Sequence, residues 1–174
     1  KLSSSHGIDL SKPLISLCPV AEFGPSKRWP SEYYAEIASE FLLRDWQILL
    51  LGSPNDVSTG KEIEEYLKQS HKILNLIGKT QLVDAVDILK ASKLVLCNDS
   101  GLMHVAASVD VPLVALYGPT SPEFTPPLSN KAKVIKKSEG FAKLRSGDLE
   151  GGYHQSLKDI KPKEVLEALS EFEF

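Results

Sequence analysis

The sequence predicts an α/β fold, a Rossmann-like doubly wound parallel sheet with helices on both faces. Two features of the 174-residue chain predict it. Apolar segments of strand length alternate five times with amphipathic helical segments, which is typical of βαβ units. The strand segments are apolar throughout, which indicates strands buried on both faces. Right-handed crossovers then give a doubly wound sheet, in which ligands bind beyond the carboxyl ends of the strands.

The first half of the chain contains three predicted strand–helix pairs. Leu-Ile-Ser-Leu-Cys at 14–18 is closed by Pro19 and predicts a buried strand, and Ser31 is a favourable N-cap for the first helix. Glycines end the second and third strands. Tyr66 and Leu82 are expected on the inward faces of their helices. The predicted strands are 14–18, 46–51 and 72–77, and the predicted helices are 31–44, 55–69 and 81–91.

The second half continues the alternation and adds a long proline-rich loop at 118–129. Pro162 stands where proline favours the start of the last helix. The predicted strands are 93–97, 111–117 and 132–136, and the predicted helices are 102–108 and 162–172. The segments that follow the strands are the candidate ligand-binding loops, namely 19–30, 52–56, 78–81, 98–101 and 118–129.

Composition and missing motifs exclude several function classes. The net charge of −3 argues against a general nucleic-acid binder, and no apolar run is long enough to span a membrane. The dinucleotide G-x-G-x-x-G, the P-loop, the G-x-S-x-G elbow and Cys/His metal spacings are absent. Neither a cofactor nor a metal is therefore expected. Cys18 and Cys97 lie in apolar strand segments and are expected to be buried free thiols, as in a reducing compartment.

The junction at 98–101 carries the strongest functional signal. An apolar strand leads into Asn-Asp-Ser-Gly, and a helix begins at once. A helix start offers unpaired N–H groups and a positive dipole end, Gly101 admits a close approach to the backbone, and the Ser100 hydroxyl is a further donor. These features suit a phosphate or diphosphate. Asp99 is expected to orient the loop or to accept from a sugar hydroxyl. The competing interpretation is that Asp99 or Ser100 only caps the helix.

Three further residues are weaker candidates. His104 lies one turn into the same helix and either faces the ligand or packs as an ordinary helical histidine. Lys27 follows the first strand and could place a mobile positive charge on a diphosphate, or it is one of a solvated basic pair with Arg28. Asp56 follows the second strand and either accepts from ribose hydroxyls or is an acid at a helix start.

Long segments of the chain resemble the bacterial ADP-heptose:lipopolysaccharide heptosyltransferases, type II in particular. The similarity covers nearly everything from Leu14 onward. It is carried by CPVAEFGPSKRWP at 18–30, NDSGLMHVAA at 98–107, PLVALYGPTSP at 112–122, FTPPLS at 124–129 and GYHQSL at 152–157.

The resemblance implies the C-terminal, donor-binding half of a B-type glycosyltransferase, with a linker at 1–13 and the ADP-heptose-binding domain at 14–174. It implies an inverting, metal-independent transfer to the lipopolysaccharide inner core in the cytoplasm, with peripheral contact to the inner membrane. The N-terminal partner domain, which would supply the general base, is expected to be missing, so that the chain alone is inactive. The site residues that it implies are Lys27 for the leaving diphosphate, Asp56 for ribose, Thr80 for adenine, and Asp99, Ser100, Gly101 and His104 for the phosphates and sugar.

Two alternatives stay open at this level. Nucleotide-sugar epimerases share the two-domain fold and a similar Asp-Ser-Gly junction, although the Lys27-Arg28-Trp29-Pro30 loop argues against them. A non-catalytic nucleotide-binding module that regulates a partner is the alternative from another class.

Overall fold

A computed structural model of the chain describes residues 6–68 and 73–172. Its centre is a six-stranded sheet in which every pair of neighbouring strands is parallel. The strands are β1 Leu14–Cys18, β2 Gln47–Leu50, β3 Ile73–Asn75, β4 Leu94–Asn98, β5 Leu113–Tyr117 and β6 Ala132–Lys136. Their order is β3-β2-β1-β4-β5-β6, the doubly wound arrangement that the sequence predicts.

Helices cover both faces of the sheet because the strands are apolar on both faces. The helices are α1 Ser31–Leu43, α2 Val57–Tyr66, α3 Leu82–Ala91, α4 Gly101–Ser108, α5 Gln155–Lys158 and α6 Pro162–Ser170. One apolar cluster joins α1, α2, α5 and α6 to the sheet, and a second joins α3 and α4 to the opposite face. Cys18 and Cys97 lie side by side in β1 and β4 and are buried free thiols, as predicted.

Most predicted elements are confirmed within a few residues, and three details are wrong. Ser31 is the first residue of α1 and not its N-cap, and its hydroxyl donates to Glu62 Oε2 at 2.8 Å. Tyr66 and Leu82 are 58 % and 67 % exposed; each is a terminal residue of its helix. The predicted ends of the second helix at Gln69 and of the third strand at Lys72 lie outside the described residues.

The segment before β1 contacts the domain. Ile8 is 1 % exposed and packs in the apolar cluster on the α3 and α4 face. The Asp9 backbone N–H donates to Gln47 Oε1 at 2.8 Å, and Lys12 forms an exposed ion pair with Asp45 at 2.7 Å. The linker predicted at 1–13 stays a prediction, but its residues Ile8, Asp9 and Lys12 contact the domain.

The sheet reverses its winding between β1 and β4. From β1 the chain proceeds outward to β2 and β3 on one side, and from β4 it proceeds outward to β5 and β6 on the other. The loops after β1 and β4 therefore diverge and leave a crevice between them. The loops that carry Lys27 and Asp99 are the two that border this crevice. The fold therefore brings together two of the sequence-predicted site segments that are about 70 residues apart.

Candidate nucleotide-sugar site

Asn98, the last residue of β4, links the two loops that border the crevice. Its side chain is fully buried; Oδ1 accepts from the Tyr34 hydroxyl at 2.9 Å and from the Trp29 backbone N–H at 3.4 Å. Its Nδ2 donates to the Val20 carbonyl at 3.2 Å. Burial raises the pKa of Tyr34 well above its usual value, so this phenol stays a donor. The bonds hold the loop after β1 in place against the end of β4.

Asp99 forms the electrostatic centre of the site. Its Oδ2 accepts from Lys27 Nζ at 2.7 Å, and the carboxylate is only 4 % exposed. Its backbone N–H continues the sheet by donating to the Leu116 carbonyl at 3.1 Å. These contacts are compatible with the predicted role of Asp99 in orienting the loop, and the fold brings Lys27 to the same point.

Two threonines that sequence reasoning missed complete the surroundings of Asp99. Thr120 Oγ1 donates to Oδ2 at 2.7 Å, and Thr125 Oγ1 donates to Oδ1 at 3.2 Å. Both belong to the proline-rich loop after β5, the strand next to β4. Threonine is common in such loops, and only the strand order shows that this loop meets Asp99.

Helix α4 begins directly after Asp99 and leaves its first donors available. Ser100 is the N-cap by backbone geometry, but its side chain makes no capping bond, and the buried Oγ has no partner in the described part of the chain. An added Cβ at Gly101 would meet nothing within 4 Å. Capping by the Ser100 side chain is therefore not what the structure shows. The open backbone at Gly101 and the idle hydroxyl fit an anion at this helix start.

A cavity of about 470 Å³ opens beside this junction. Ser100 and Gly101 form one side, and Thr80 and Gln81 at the start of α3 form another. Much of the remaining wall is apolar and comes from the loops after β1 and β2 and from α3 and α4. Those apolar residues are Val20, Leu51, Pro54, Leu82, Ala85, Leu102 and Val105. A cleft with apolar walls and a few polar groups is typical of a small-molecule site.

The structure places the sequence-predicted site residues in three groups. Lys27 and Asp99 form the ion pair, and Thr80, Ser100 and Gly101 line the cavity beside it. His104 is exposed on α4, outside the cavity lining.

Asp56, like His104, belongs to the third group, which lies outside both the ion pair and the cavity lining, and its local role is structural. It is 2 % exposed, and its Oδ2 accepts from the Ser53 backbone N–H at 3.2 Å and from Ser53 Oγ at 2.5 Å. This is a capping box at the short 3₁₀ turn Pro54–Asp56, the helix-start alternative that the sequence left open. Asp56 does not line the cavity, whereas Ser53 and the acidic Glu22, which sequence reasoning did not single out, both do.

The loop that carries Lys27 is fixed from the other side by the segment between β6 and α5. Ser26 Oγ donates to the Leu144 carbonyl, and the Ser26 backbone N–H donates to the Arg145 carbonyl at 3.3 Å. Gly24 has φ 149°, and a Cβ there would lie 2.1 Å from Arg145 O, so only glycine fits this contact. The position of Lys27 is therefore set by the fold and not by the lysine side chain alone.

Across 6–68 and 73–172, no group of three or more His, Cys, Asp or Glu side chains could hold a metal ion. No helix in the same ranges is long and apolar enough to cross a membrane.

A parallel sheet wound in both directions, with a cavity and an open helix start at its switch point, defines a Rossmann-like α/β domain. Comparison with known proteins narrows that class. The model of glycosyltransferase family 9 (heptosyltransferase) matches residues 2–154, and the chain belongs to this family.

Individual relatives agree with the family match. The chain is 51 % identical over 170 residues to lipopolysaccharide heptosyltransferase 2 of Salmonella typhimurium. The matched region covers 97 % of this chain and 49 % of that protein. It is 53 % identical over 169 residues to the protein of that name from Escherichia coli, with 96 % and 49 % covered. The solved E. coli ADP-heptose lps heptosyltransferase II superposes with a TM-score of 0.88 at 47 % identity, over 97 % of this chain and 49 % of that one. The chain thus spans about half the length of the relatives it matches, and its fold is that of one half of a B-type glycosyltransferase.

Proposed function

We propose that the chain is the donor-binding half of a glycosyltransferase that moves heptose from ADP-heptose to the inner core of lipopolysaccharide. The observation that carries the proposal is the junction at 98–101, where an unused helix start lies beside the Lys27–Asp99 pair and a cavity. Membership of the heptosyltransferase family and the names of the relatives support the substrate class. They favour transfer over epimerisation.

The donor is proposed to lie along the crevice with its nucleoside in the cavity. The apolar walls and the Thr80 hydroxyl suit a purine, and the diphosphate would then reach the start of α4. There the backbone N–H groups, Ser100 Oγ and Lys27 Nζ offer donors and positive charge. Because Asp56 Oδ2 is occupied by Ser53, a ribose contact by Asp56 would use Oδ1 or displace that bond.

The proposed reaction inverts the anomeric carbon. A hydroxyl of the acceptor attacks that carbon, the bond to the ADP oxygen breaks, and the acceptor's proton passes to a base. The base is expected in an N-terminal domain that faces this one, so the chain alone is proposed to be inactive. Lys27 and the α4 amides stabilise the charge that develops on ADP, which is the role a metal has in other transferases, and we propose that no metal is required.

The acceptor and location follow from the same proposal. A lipopolysaccharide inner core that is still being built lies at the cytoplasmic side of the inner membrane, so the protein is proposed to be cytoplasmic with peripheral contact to that membrane. Cell fractionation in low and high salt tests this contact, because a peripheral protein is released by salt.

Transfer by the full-length protein tests the proposed function. ADP-heptose and a heptose-bearing inner-core acceptor are supplied with and without a metal chelator, and the anomeric configuration of the product is read by NMR. We expect an inverted product with either buffer, and no product from this chain alone. Absence of transfer by the full-length protein, or a retained configuration, would contradict the proposal.

A further inference from the structure

The Asp99 carboxylate is buried and holds three donors. Lys27 Nζ and Thr120 Oγ1 both lie 2.7 Å from Oδ2, and Thr125 Oγ1 lies 3.2 Å from Oδ1. A carboxylate in this position is costly unless its oxygens are paired. Each donor therefore affects how strongly Asp99 attracts the others.

The two threonines differ in the number of acceptors that their hydroxyl groups have beside Asp99. Thr120 is 4 % exposed, and Asp99 is the acceptor of its hydroxyl within the described residues. Thr125 has a second acceptor, the Ser121 carbonyl at 3.4 Å, and a hydroxyl has one proton to donate. Thr120 is therefore the steadier neutral donor to the carboxylate.

When a diphosphate occupies the start of α4, Lys27 can donate both to the Asp99 carboxylate and to the diphosphate. Its ammonium carries three N–H groups, so it can turn one or more of them from Asp99 to a phosphate. As it does so, the carboxylate loses part of its pairing while it stays buried. The Thr120 hydroxyl continues to pair Oδ2 and so lowers the free-energy cost of that turn.

We infer that Thr120 is a positioning residue, whose bond to Asp99 lets Lys27 turn from this carboxylate to the donor diphosphate. The inference rests on the proposed function, because it needs a diphosphate at the start of α4. It assigns the proline-rich loop after β5 a part in donor affinity, although this loop contributes nothing to the cavity wall in the described residues.

Thr120→Val and Thr120→Ser in this chain test the inference. Valine keeps the shape and removes the hydroxyl, whereas serine keeps the hydroxyl. Binding of ADP and of adenosine is measured for each by calorimetry or NMR titration. We expect valine to weaken ADP about tenfold, the scale for one lost hydrogen bond to a charged group, and to leave adenosine unchanged because adenosine carries no phosphate. Serine should bind ADP like the parent.

The same titrations in an Asp99→Asn background separate positioning from damage to the fold. If Thr120 acts through the charge of Asp99, valine should change ADP affinity there by less than about twofold, since a neutral amide does not hold Lys27. Equal ADP binding by the parent and Thr120→Val, an equal loss of ADP and adenosine, or an undiminished loss in the Asp99→Asn background would each overturn the inference. A parent chain that binds no ADP would overturn the proposed function itself, and this inference with it.

Discussion

Lys27 and Asp99 lie together because the fold holds both backbones in place, independently of the attraction between the two charges. Asp99 is held by a sheet bond to Leu116, and the Lys27 loop is tied to Asn98 and to the segment around Arg145. The pair is largely buried, with side chains 16 % and 4 % exposed. In the free domain Asp99 keeps the Lys27 ammonium within reach of the α4 start. Both backbones are thus fixed in the free domain, and the proposed binding of a diphosphate requires only the Lys27 ammonium to turn.

Removal of the Lys27 charge should reduce transfer strongly. In the full-length protein, Lys27→Ala is expected to lower kcat/KM about 100-fold or more, the scale for losing a donor that stabilises developing charge. Lys143→Ala is the matched control, because Lys143 also lies near the Phe23 ring and makes no bond to Asp99. Steady-state kinetics measure kcat/KM of both variants. Equal values for Lys27→Ala and Lys143→Ala would show that Lys27 has no role in the mechanism.

Gly101 offers a test of where the phosphates bind. Gly101→Val is expected to weaken ADP because the side chain crowds the helix start, while the free protein tolerates it, since its Cβ meets nothing within 4 Å. Gly118→Val is the contrasting variant, because its Cβ would lie 2.8 Å from Leu157 Cγ and lower the stability. Thermal unfolding and ADP titration are compared. Unchanged ADP affinity in Gly101→Val would place the phosphates elsewhere.

At the residue scale the sequence predicts the position of a candidate site residue well where that residue follows a strand directly. Asp99, Ser100 and Gly101 could be placed because a strand end and a helix start fix their position. Asp56 was ambiguous, since a carboxylate three residues after Ser53 satisfies the capping box as well as a ribose site. Thr120 and Thr125 could not be found, because their contact with Asp99 depends on the order of the strands in the sheet.

At the scale of elements, the Asn98 side chain connects β4 by hydrogen bonds to helix α1 and to the loop that follows β1. Asn98→Ala would leave the Tyr34 hydroxyl, the Trp29 N–H and the Val20 carbonyl without this partner in a buried place. We expect a loss of about 1–3 kcal/mol in the free energy of unfolding, the usual cost of buried polar groups left unpaired. Urea unfolding measures it, with the exposed Asn130→Ala as control. Equal stability of the two variants would show that the hydrogen bonds of Asn98 do not stabilise the fold.

The neighbouring strands β1 and β4 should protect their thiols. Burial raises the pKa of Cys18 to about 12 and raises that of Cys97 well above its usual value, so neither forms a thiolate near neutral pH. A thiol reagent at pH 8 is therefore expected to label neither residue in the folded protein and both in denaturant. Rapid labelling of the native protein, followed by mass spectrometry, would show that the sheet opens at this point.

The raised Cys18 pKa also predicts how stability changes with pH. Unfolded thiols ionise near pH 9 and Cys18 in the fold at about 12, so the folded state keeps a proton that the unfolded state loses. The stability that this thiol contributes is present below pH 9 and is lost as the pH rises toward 12. Chemical unfolding of Cys18→Ala beside the parent over this range measures the difference, and an identical pH dependence would contradict it.

The first and last strands, predicted at 14–18 and 132–136, agree in full with the structure. The boundaries of the other predicted elements differ by one to three residues within the described ranges. Helix α5 was not predicted, because four residues are too few to show helical periodicity. Periodicity predicts that Tyr66 and Leu82 face inward, but it does not show that a residue at a helix terminus is buried.

At the scale of the whole molecule, the candidate site lies at one edge of the sheet. The cavity and the Lys27–Asp99 pair lie at the carboxyl edge of the sheet, and the relatives that the chain matches are about twice its length. The proposed division of labour follows from this. We propose that this domain holds the donor and stabilises the departing diphosphate, and that a second domain supplies the acceptor site and the base.

Calorimetric titration of the chain with ADP tests the central claim most directly. The account predicts binding with one site per chain, lost in Lys27→Ala and weakened in Gly101→Val. Binding of ADP should exceed that of adenosine, because the diphosphate gains the charge of Lys27 and the donors of the α4 start. No ADP binding at millimolar concentration, or equal binding of ADP and adenosine, would contradict a diphosphate site at the 98–101 junction.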